Sequence, residues 1–275
     1  MTRSPRASSV QEPSPSGPIR PPGPAHSVSG TVGPVDASGL HVADRGAGPV
    51  VLLLHGNGED GASLAPVAAD LARDHRVLSP DARGHGRSPR GSGPLTIARM
   101  ADDAAAVLAA APAGAGARSG GGAGAADVVG YSDGGNVGLV LALRHPGAVR
   151  SLVVYGANVD PGGLTPRTRA EVTATWLGQR ARGLVDPAAR ARAEVTDLMV
   201  RQPRIPLRAL ARVRVPVLVA AGEHDVVRRA HTEAIAAALP AGECVIVPGA
   251  DHGLPMSDPA AFVRLVRGFL AAHGS

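Results

Sequence analysis

The stretch ADVVGYSDGGNVGLVLALRHP, residues 126–146, is predicted to join a buried strand to a helix through a glycine-rich turn. Its first part is a continuous apolar run, as in strands that are covered on both faces of a parallel sheet. Its second part has helical spacing and ends near Pro146, which does not easily continue a helix. Between them lies the pattern G-x-S-x-G, so the turn should raise Ser132 above the carboxyl edge of a sheet.

Buried strands and helices alternate on both sides of this stretch. The segments GPVVLLLHG (48–56), RSLVVYGA (150–157) and VPVLVAAG (215–222) have the length and β-branching of buried strands, with helical patterns between them. This alternation predicts an α/β fold with a mostly parallel, doubly wound sheet. About fifty Arg- and Ala-rich residues, about 160–210, are too many for an ordinary connection and predict a small helical lid insertion.

Two stretches of the chain lack the large apolar residues that a packed core needs. Residues 1–30 are rich in Pro, Ser, Gly and Arg, with too few large apolar groups to offset the entropy of ordering. We therefore predict a disordered N-terminal tail over 1–30 and a single α/β domain over 31–275. The run PAGAGARSGGGAGAA (112–126) has nothing to pack and is predicted to be a flexible surface loop.

Composition excludes several functional classes. The formal charge is +5, but the bases, all arginine, are scattered among acids and few aromatics are present, so we expect no nucleic-acid partner. The one cysteine, Cys244, excludes an internal disulfide and a cysteine metal cluster, and its apolar run predicts a buried strand position. No apolar run is long enough for a membrane span or signal peptide, which favours a cytoplasmic protein. We expect neither a metal nor a cofactor.

A serine hydroxyl is a weak nucleophile that needs a base, and the base needs a group that orients it. Two loops beyond the serine supply candidates, each after a predicted strand. The loop GEHD offers Asp225, with Glu223 as the second choice, and Asp160 follows another strand. The loop GADHG offers His252 as the base.

Four motifs together resemble the α/β-hydrolase-fold serine hydrolases over about residues 31–272. They are HGNG (55–58), DARGHGRS (81–88), GYSDGG (130–135), and the paired loops GEHD (222–225) and DHG (251–253). The resemblance implies that Ser132 is the nucleophile, His252 the base and Asp225 the orienting acid. It also implies an oxyanion hole formed by the backbone N–H groups of Asn57 and Asp133.

The same resemblance implies acyl transfer to water. The expected substrate is a small carboxylic ester or a related acyl compound, cleaved through an acyl-enzyme without a cofactor. Two alternatives stay open, because a fold does not fix a function. One is a cofactor-free haloperoxidase-like perhydrolase, and the other is a non-catalytic ligand-binding protein on the same fold.

Asp133 directly follows the serine, and an unpaired carboxylate aimed inward would oppose an oxyanion at its own amide. It could cap the following helix. Alternatively, it could bind a substrate ammonium, as is suggested by the similar Ser-Asp-Gly-Gly elbow of valacyclovirase-like amino acid ester hydrolases. His55 is expected to order the oxyanion loop through hydrogen bonds, and Asp81 and Arg83 to brace turns beneath the site.

Overall fold

The computed structural model describes residues 39–111 and 125–273. The predicted disordered tail, 1–30, lies outside the described residues. So does nearly all of the predicted flexible loop, of which only the last two residues, 125 and 126, are described.

Seven strands in the described part of the chain form one sheet, in the order β1-β3-β2-β4-β5-β6-β7. The strands are Val42–Gly46 (β1), Val50–Leu54 (β2), Arg76–Pro80 (β3), Ala126–Tyr131 (β4), Val149–Tyr155 (β5), Val217–His224 (β6) and Gly242–Asp251 (β7). Only β1 is antiparallel to its neighbour, and the other pairs are parallel. The predicted mostly parallel, doubly wound sheet is therefore confirmed.

Helices cover both faces of this sheet. They are Ala65–Leu71 (α1), Ile97–Ala110 (α2), Asp133–Arg144 (α3), Pro166–Arg182 (α4), Pro187–Arg201 (α5), Arg229–Ala238 (α6), Leu254–Ser257 (α7) and Pro259–His273 (α8). Side chains of α2, α3 and α6 pack in one core layer, and those of α1, α7 and α8 pack in the other. None of the described helices is long and apolar enough to cross a membrane.

The strands contribute to both core layers because alternate residues of a strand point to opposite faces. In β2, Leu52 and Leu54 enter the layer of α2 and α3, whereas Val51 and Leu53 enter the layer of α1 and α8. Burying one such aliphatic side chain stabilises the fold by about 1.5–3 kcal/mol. The aliphatic residues of the strands thus contribute to a hydrophobic core on each side of the sheet.

Cys244 corrects one expectation. It lies in β7 as predicted, but it is exposed, not buried. The reason is that β7 is an edge strand of the sheet, and of its ten residues only Ala250 is buried. An apolar run predicts a strand but does not tell an edge strand from a central one.

The segment 160–210, here called the helical insertion, connects β5 to β6 and carries α4 and α5. Both helices begin with a side-chain cap followed by proline, a favoured helix start. The one buried residue of α4 is Trp176, whose ring lies 5.0 Å from the guanidinium of Arg180 and 4.8 Å from that of Arg201. By contrast, α5 is anchored to the sheet domain, since Leu198 belongs to a main core layer.

Candidate active site

Ser132 occupies a tight turn between β4 and α3. Its φ of 53° makes it the only described residue other than glycine with a positive φ. Holding a side-chain-bearing residue in such a conformation costs about 1–3 kcal/mol, and strain of this kind concentrates at functional sites. The neighbouring glycines are required, because a Cβ on Gly130 would collide with the carbonyl oxygen of Gly134, and one on Gly134 with that of Leu54.

Adding a methyl group at Gly130 should therefore destabilise the folded protein. We expect Gly130→Ala to lower the free energy of unfolding by about 3 kcal/mol, because the new Cβ meets backbone that cannot move away. Chemical denaturation of the two proteins measures the difference. The matched control is Gly178→Ala in α4, where a Cβ has open space and a gain of up to about 1 kcal/mol is expected. Equal effects of the two substitutions would contradict the steric explanation.

Ser132, His252 and Asp225 form one hydrogen-bonded chain, although they follow three different strands. The Oγ of Ser132 lies 3.1 Å from Nε2 of His252, and Nδ1 of His252 lies 2.8 Å from Oδ1 of Asp225. A carboxylate only accepts hydrogen bonds, so Nδ1 carries the proton and Nε2 is free to accept from the serine hydroxyl. This is the arrangement that a histidine needs in order to act as a general base towards serine.

The structure also shows which of the three candidate acids is placed to orient His252. Asp225 is held under His252 by the backbone N–H groups of Val227, at 2.9 Å from Oδ1, and Gly222, at 3.3 Å from Oδ2. Glu223 is exposed and accepts from the backbone N–H of Gly249. Asp160 instead caps a short helical turn. Of the three, only Asp225 contacts His252.

Three further residues hold His252 in place, and sequence reasoning did not identify them. Gly156 has a φ of 63°, and a Cβ there would lie 2.6 Å from Cε1 of the imidazole, so glycine makes room for the ring. The hydroxyl of Tyr155 donates to the carbonyl of Asp251 at 2.6 Å and so fixes the loop that carries His252. The ring of Tyr131 packs 5.2 Å from the imidazole, centroid to centroid.

The loop after β2 presents Asn57 towards this site. Neither the backbone N–H of Asn57 nor that of Asp133 has a hydrogen-bond acceptor within residues 39–111 and 125–273. Two N–H groups without partners are what an oxyanion hole requires. The loop is fixed from one side by Glu59, which accepts from the N–H of Gly56 at 3.2 Å and from the hydroxyl of Ser63 at 2.9 Å. Burial raises the pKa of Glu59.

His55 fixes the same loop from beneath, as the sequence predicts. Its Nε2 accepts from the backbone N–H of Ala82 at 2.9 Å, so Nδ1 carries the proton and donates to the carbonyl of Gly56 at 2.8 Å. Burial lowers the pKa of His55 to about 4. The ring is thus neutral at physiological pH and serves as a structural bridge between two loops.

Asp81 braces turns, as expected, whereas the side chain of Arg83 pairs with a helix. The carboxylate of Asp81 accepts from the backbone N–H groups of Gly61 and Arg87, each at 2.9 Å. Arg83 forms an ion pair with Asp103 of α2. The DARGHGRS motif forms the loop after β3, and these contacts connect it to the segment after β2 and to α2.

The side chain of Asp133 does not cap α3 by hydrogen bonding. Its Oδ2 accepts from Nδ2 of Asn57 at 2.8 Å, and its Oδ1 accepts from Nδ2 of Asn136 at 3.0 Å. Burial, which these two hydrogen bonds only partly oppose, raises the pKa of Asp133. Asp133 also lines a cavity of about 30 Å³ together with His85, whose buried Nε2 has no partner among the described residues.

Among the described residues, no group of three or more His, Cys, Asp or Glu side chains is placed to hold a metal ion.

The chain is similar to several known sequences. A profile of the Alpha/beta hydrolase family matches residues 51–265. The Caulobacter vibrioides protein named "Putative carbamate hydrolase RutD" is 42% identical over 130 residues, which are 45% of this chain and 44% of that relative. This chain thus matches about half the length of that relative. A protein of the same name from Azorhizobium caulinodans is 28% identical over 259 residues, 84% of this chain and 94% of its own.

Solved structures show the same architecture. A thermophilic esterase from Thermogutta terrifontis superposes with a TM-score of 0.69 at 23% identity, covering 85% of this chain and 93% of the esterase. At that identity the likeness concerns the fold alone. A hydrolase from Pseudomonas aeruginosa gives a TM-score of 0.66 at 28% identity, covering 88% of this chain and 99% of the other.

Proposed function

Because this chain belongs to the α/β-hydrolase family, we propose that it is a serine hydrolase that cleaves small carboxylic esters or related acyl compounds. The observation that carries the proposal is the hydrogen-bonded chain from Ser132 through His252 to Asp225. Three groups in that order are not needed for ligand binding alone. They are needed when a serine hydroxyl must lose its proton as it attacks.

In the first half-reaction, Oγ of Ser132 attacks the acyl carbon while Nε2 of His252 takes the hydroxyl proton. Asp225 keeps the imidazole oriented and stabilises the imidazolium that forms. The carbonyl oxygen becomes an oxyanion, which accepts hydrogen bonds from the backbone N–H groups of Asn57 and Asp133. When the tetrahedral intermediate collapses, His252 gives the proton to the leaving alcohol and an acyl-enzyme remains.

In the second half-reaction, water replaces the alcohol. His252 accepts a proton from the water as it attacks the acyl carbon, and then returns a proton to Oγ of Ser132. The products are the free carboxylic acid and the regenerated enzyme. We assign the role of a lid to the helical insertion, because it follows β5 and its helix α5 contacts the loop that carries Asn57.

The substrate class extends beyond simple esters. The relatives that share sequence with this chain are named as a carbamate hydrolase and, in the case of a Pseudomonas putida protein 37% identical over 118 residues, a 2-hydroxymuconate semialdehyde hydrolase. Carbamates and 2-hydroxymuconate semialdehyde therefore join simple esters in the substrate panel. All of these substrates present a carbonyl carbon to the same nucleophile.

Asp133 carries a second part of the proposal, the binding of a substrate ammonium. Its two hydrogen bonds leave acceptor positions free, and the adjacent cavity has room for a water-sized group. We expect Asp133→Asn to lower the ratio of kcat/KM for an aminoacyl ester over that for the matching acyl ester about 10-fold to 100-fold, since a charged hydrogen bond is lost. The ratio cancels any general loss of activity, so an unchanged ratio would eliminate ammonium binding.

The experiment that tests the hydrolase assignment is the intact mass of the protein after exposure to a fluorophosphonate, run beside hydrolysis of a p-nitrophenyl ester panel. A single adduct together with ester hydrolysis is expected. An adduct with peroxide-dependent acyl transfer and no hydrolysis would favour the perhydrolase alternative. A folded protein that forms no adduct and hydrolyses no ester would favour the ligand-binding alternative.

A further inference from the structure

The carboxamide of Asn57 bridges two parts of the molecule. One hydrogen of Nδ2 is donated to Oδ2 of Asp133 at 2.8 Å, and the other to the carbonyl of Val195 in α5 at 2.9 Å. Both partners are acceptors, so this orientation of the amide is the one that satisfies them. Asn57, whose backbone N–H is the proposed oxyanion donor, is therefore tied by its side chain to the helical insertion.

A second series of hydrogen bonds connects Asp133 to the start of the helical insertion. Asn136, fully buried in α3, donates to Oδ1 of Asp133 at 3.0 Å, and its own Oδ1 accepts from the backbone N–H of Asn158 at 2.9 Å. The side chain of Asn158 then donates to the carbonyl of Asp160, where the insertion begins, at 3.1 Å. The carboxylate of Asp133 is thus the point at which both connections meet.

We propose that the Asn57 side chain is a positioning group that couples docking of α5 to the geometry of the oxyanion hole, with Asp133 and Asn136 as its support. When α5 is docked, the carboxamide holds the loop that carries the Asn57 N–H. When α5 moves away, the Asn57 carboxamide loses one of its two hydrogen bonds, and the N–H of the same residue is held less firmly. This inference rests on the proposed hydrolase function.

Direction matters because an oxyanion donor acts only when it is already in place as charge develops. Removing one such donor costs about 10²-fold to 10³-fold in rate, and a misplacement near 1 Å can cost about 10²-fold. Buried polar networks of this kind are sensitive to the loss of one member, since the remaining groups keep their desolvation cost. A docked insertion would thus hold the Asn57 N–H in place before the negative charge develops.

The test is Asn57→Ala, which keeps the backbone N–H and removes both side-chain hydrogen bonds. We expect kcat for a short ester to fall about 10-fold to 100-fold with little change in KM. The affinity for a trifluoromethyl ketone, whose adduct with Ser132 carries an oxyanion, should fall by a similar factor. Hydrogen exchange of the amides of α5 should become faster in the same variant.

The matched control is Arg90→Ala. Arg90 also ties α5 to the sheet domain, through an exposed ion pair to Glu194 at 2.5 Å, but it does not contact Asn57. Exposed pairs of this kind contribute at most about 1 kcal/mol, so kcat should stay within about twofold of wild type. Equal losses of kcat in the two variants would show that any loosening of α5 suffices, which would overturn the role of the carboxamide.

The double variant Asn57→Asp with Asp133→Asn can keep the hydrogen bond between positions 57 and 133 but loses the one to Val195. The amide at 133 can then donate to the carboxylate at 57, but nothing at 57 donates to the carbonyl of Val195. The proposal predicts that kcat stays low and that exchange in α5 stays fast. Full recovery of kcat would overturn the coupling to α5.

Failure of the two proposals can be told apart. If wild type forms the fluorophosphonate adduct and hydrolyses esters, but Asn57→Ala keeps wild-type kcat and inhibitor affinity, only the coupling is overturned. If wild type forms no adduct, the hydrolase function fails and the coupling fails with it.

Discussion

Replacing Ser132 with alanine should lower kcat for ester hydrolysis by about a million-fold, to a rate set by the remaining site groups alone. The loss is this large because no other group can form the acyl-enzyme. The variant should fold normally, because the hydroxyl makes one hydrogen bond, to His252 at 3.1 Å. Intact mass after fluorophosphonate treatment and ester turnover check the prediction together.

The control is Ser257→Ala, which removes an exposed serine of α7, close in sequence to His252. This variant should form the adduct and hydrolyse esters at the wild-type rate. If Ser132→Ala kept the adduct, another residue would be the nucleophile and the proposed mechanism would be wrong. Circular dichroism of both variants shows whether folding is preserved.

Replacing Asp225 with alanine should lower kcat by about 10⁴-fold, the second largest effect expected here. The imidazole of His252 would lose the acceptor that holds the proton on Nδ1 and the charge that stabilises the imidazolium. The backbone N–H groups of Gly222 and Val227 would lose their acceptor as well. Because that loss can weaken the fold, kcat should be measured below the melting temperature of the variant.

A milder substitution avoids this difficulty. Asp225→Asn keeps the size of the side chain and an oxygen towards both His252 and Val227. It removes the charge and places its NH2 group beside the backbone N–H of Gly222, so we expect a loss of about 10⁴-fold. The control is Glu223→Ala, which removes the exposed carboxylate two positions earlier and should leave kcat within about twofold. If Glu223→Ala were as damaging as Asp225→Ala, the assignment of the acid would be wrong.

Some features of the site are local, and the sequence alone predicts them. The elbow is one, because an apolar strand, G-x-S-x-G and a helix are consecutive in the chain, and glycines at 130 and 134 are required by contacts within the turn and with β2. The order of the loops that carry Asp225 and His252 is another, since both follow strands of a parallel sheet. Parallel strands bring such loops to one edge of the sheet, whatever their separation in sequence.

Other features depend on contacts between distant segments, and no local pattern reports them. The edge strand β1 was not predicted, because it is short and only Val42 of its five residues is buried. Exposure of Cys244 likewise depends on where β7 lies in the sheet. The choice of Asp225 over Glu223 required the side-chain directions at the end of β6, since both residues lie in one four-residue motif.

The sequence by itself determined the fold class, the strand–turn–helix around Ser132 and the small set of residues from which the proposed catalytic groups are drawn, because strand and helix periodicity and glycine sterics act over neighbouring residues. Only the tertiary structure decided what the carboxylate of Asp133 contacts. Its partner Asn57 also binds the carbonyl of Val195, 138 residues further along the chain. A contact of that kind exists only once the sheet has formed and the insertion has packed onto it, because hydrogen bonds act over about 3 Å while sequence patterns act over a few residues.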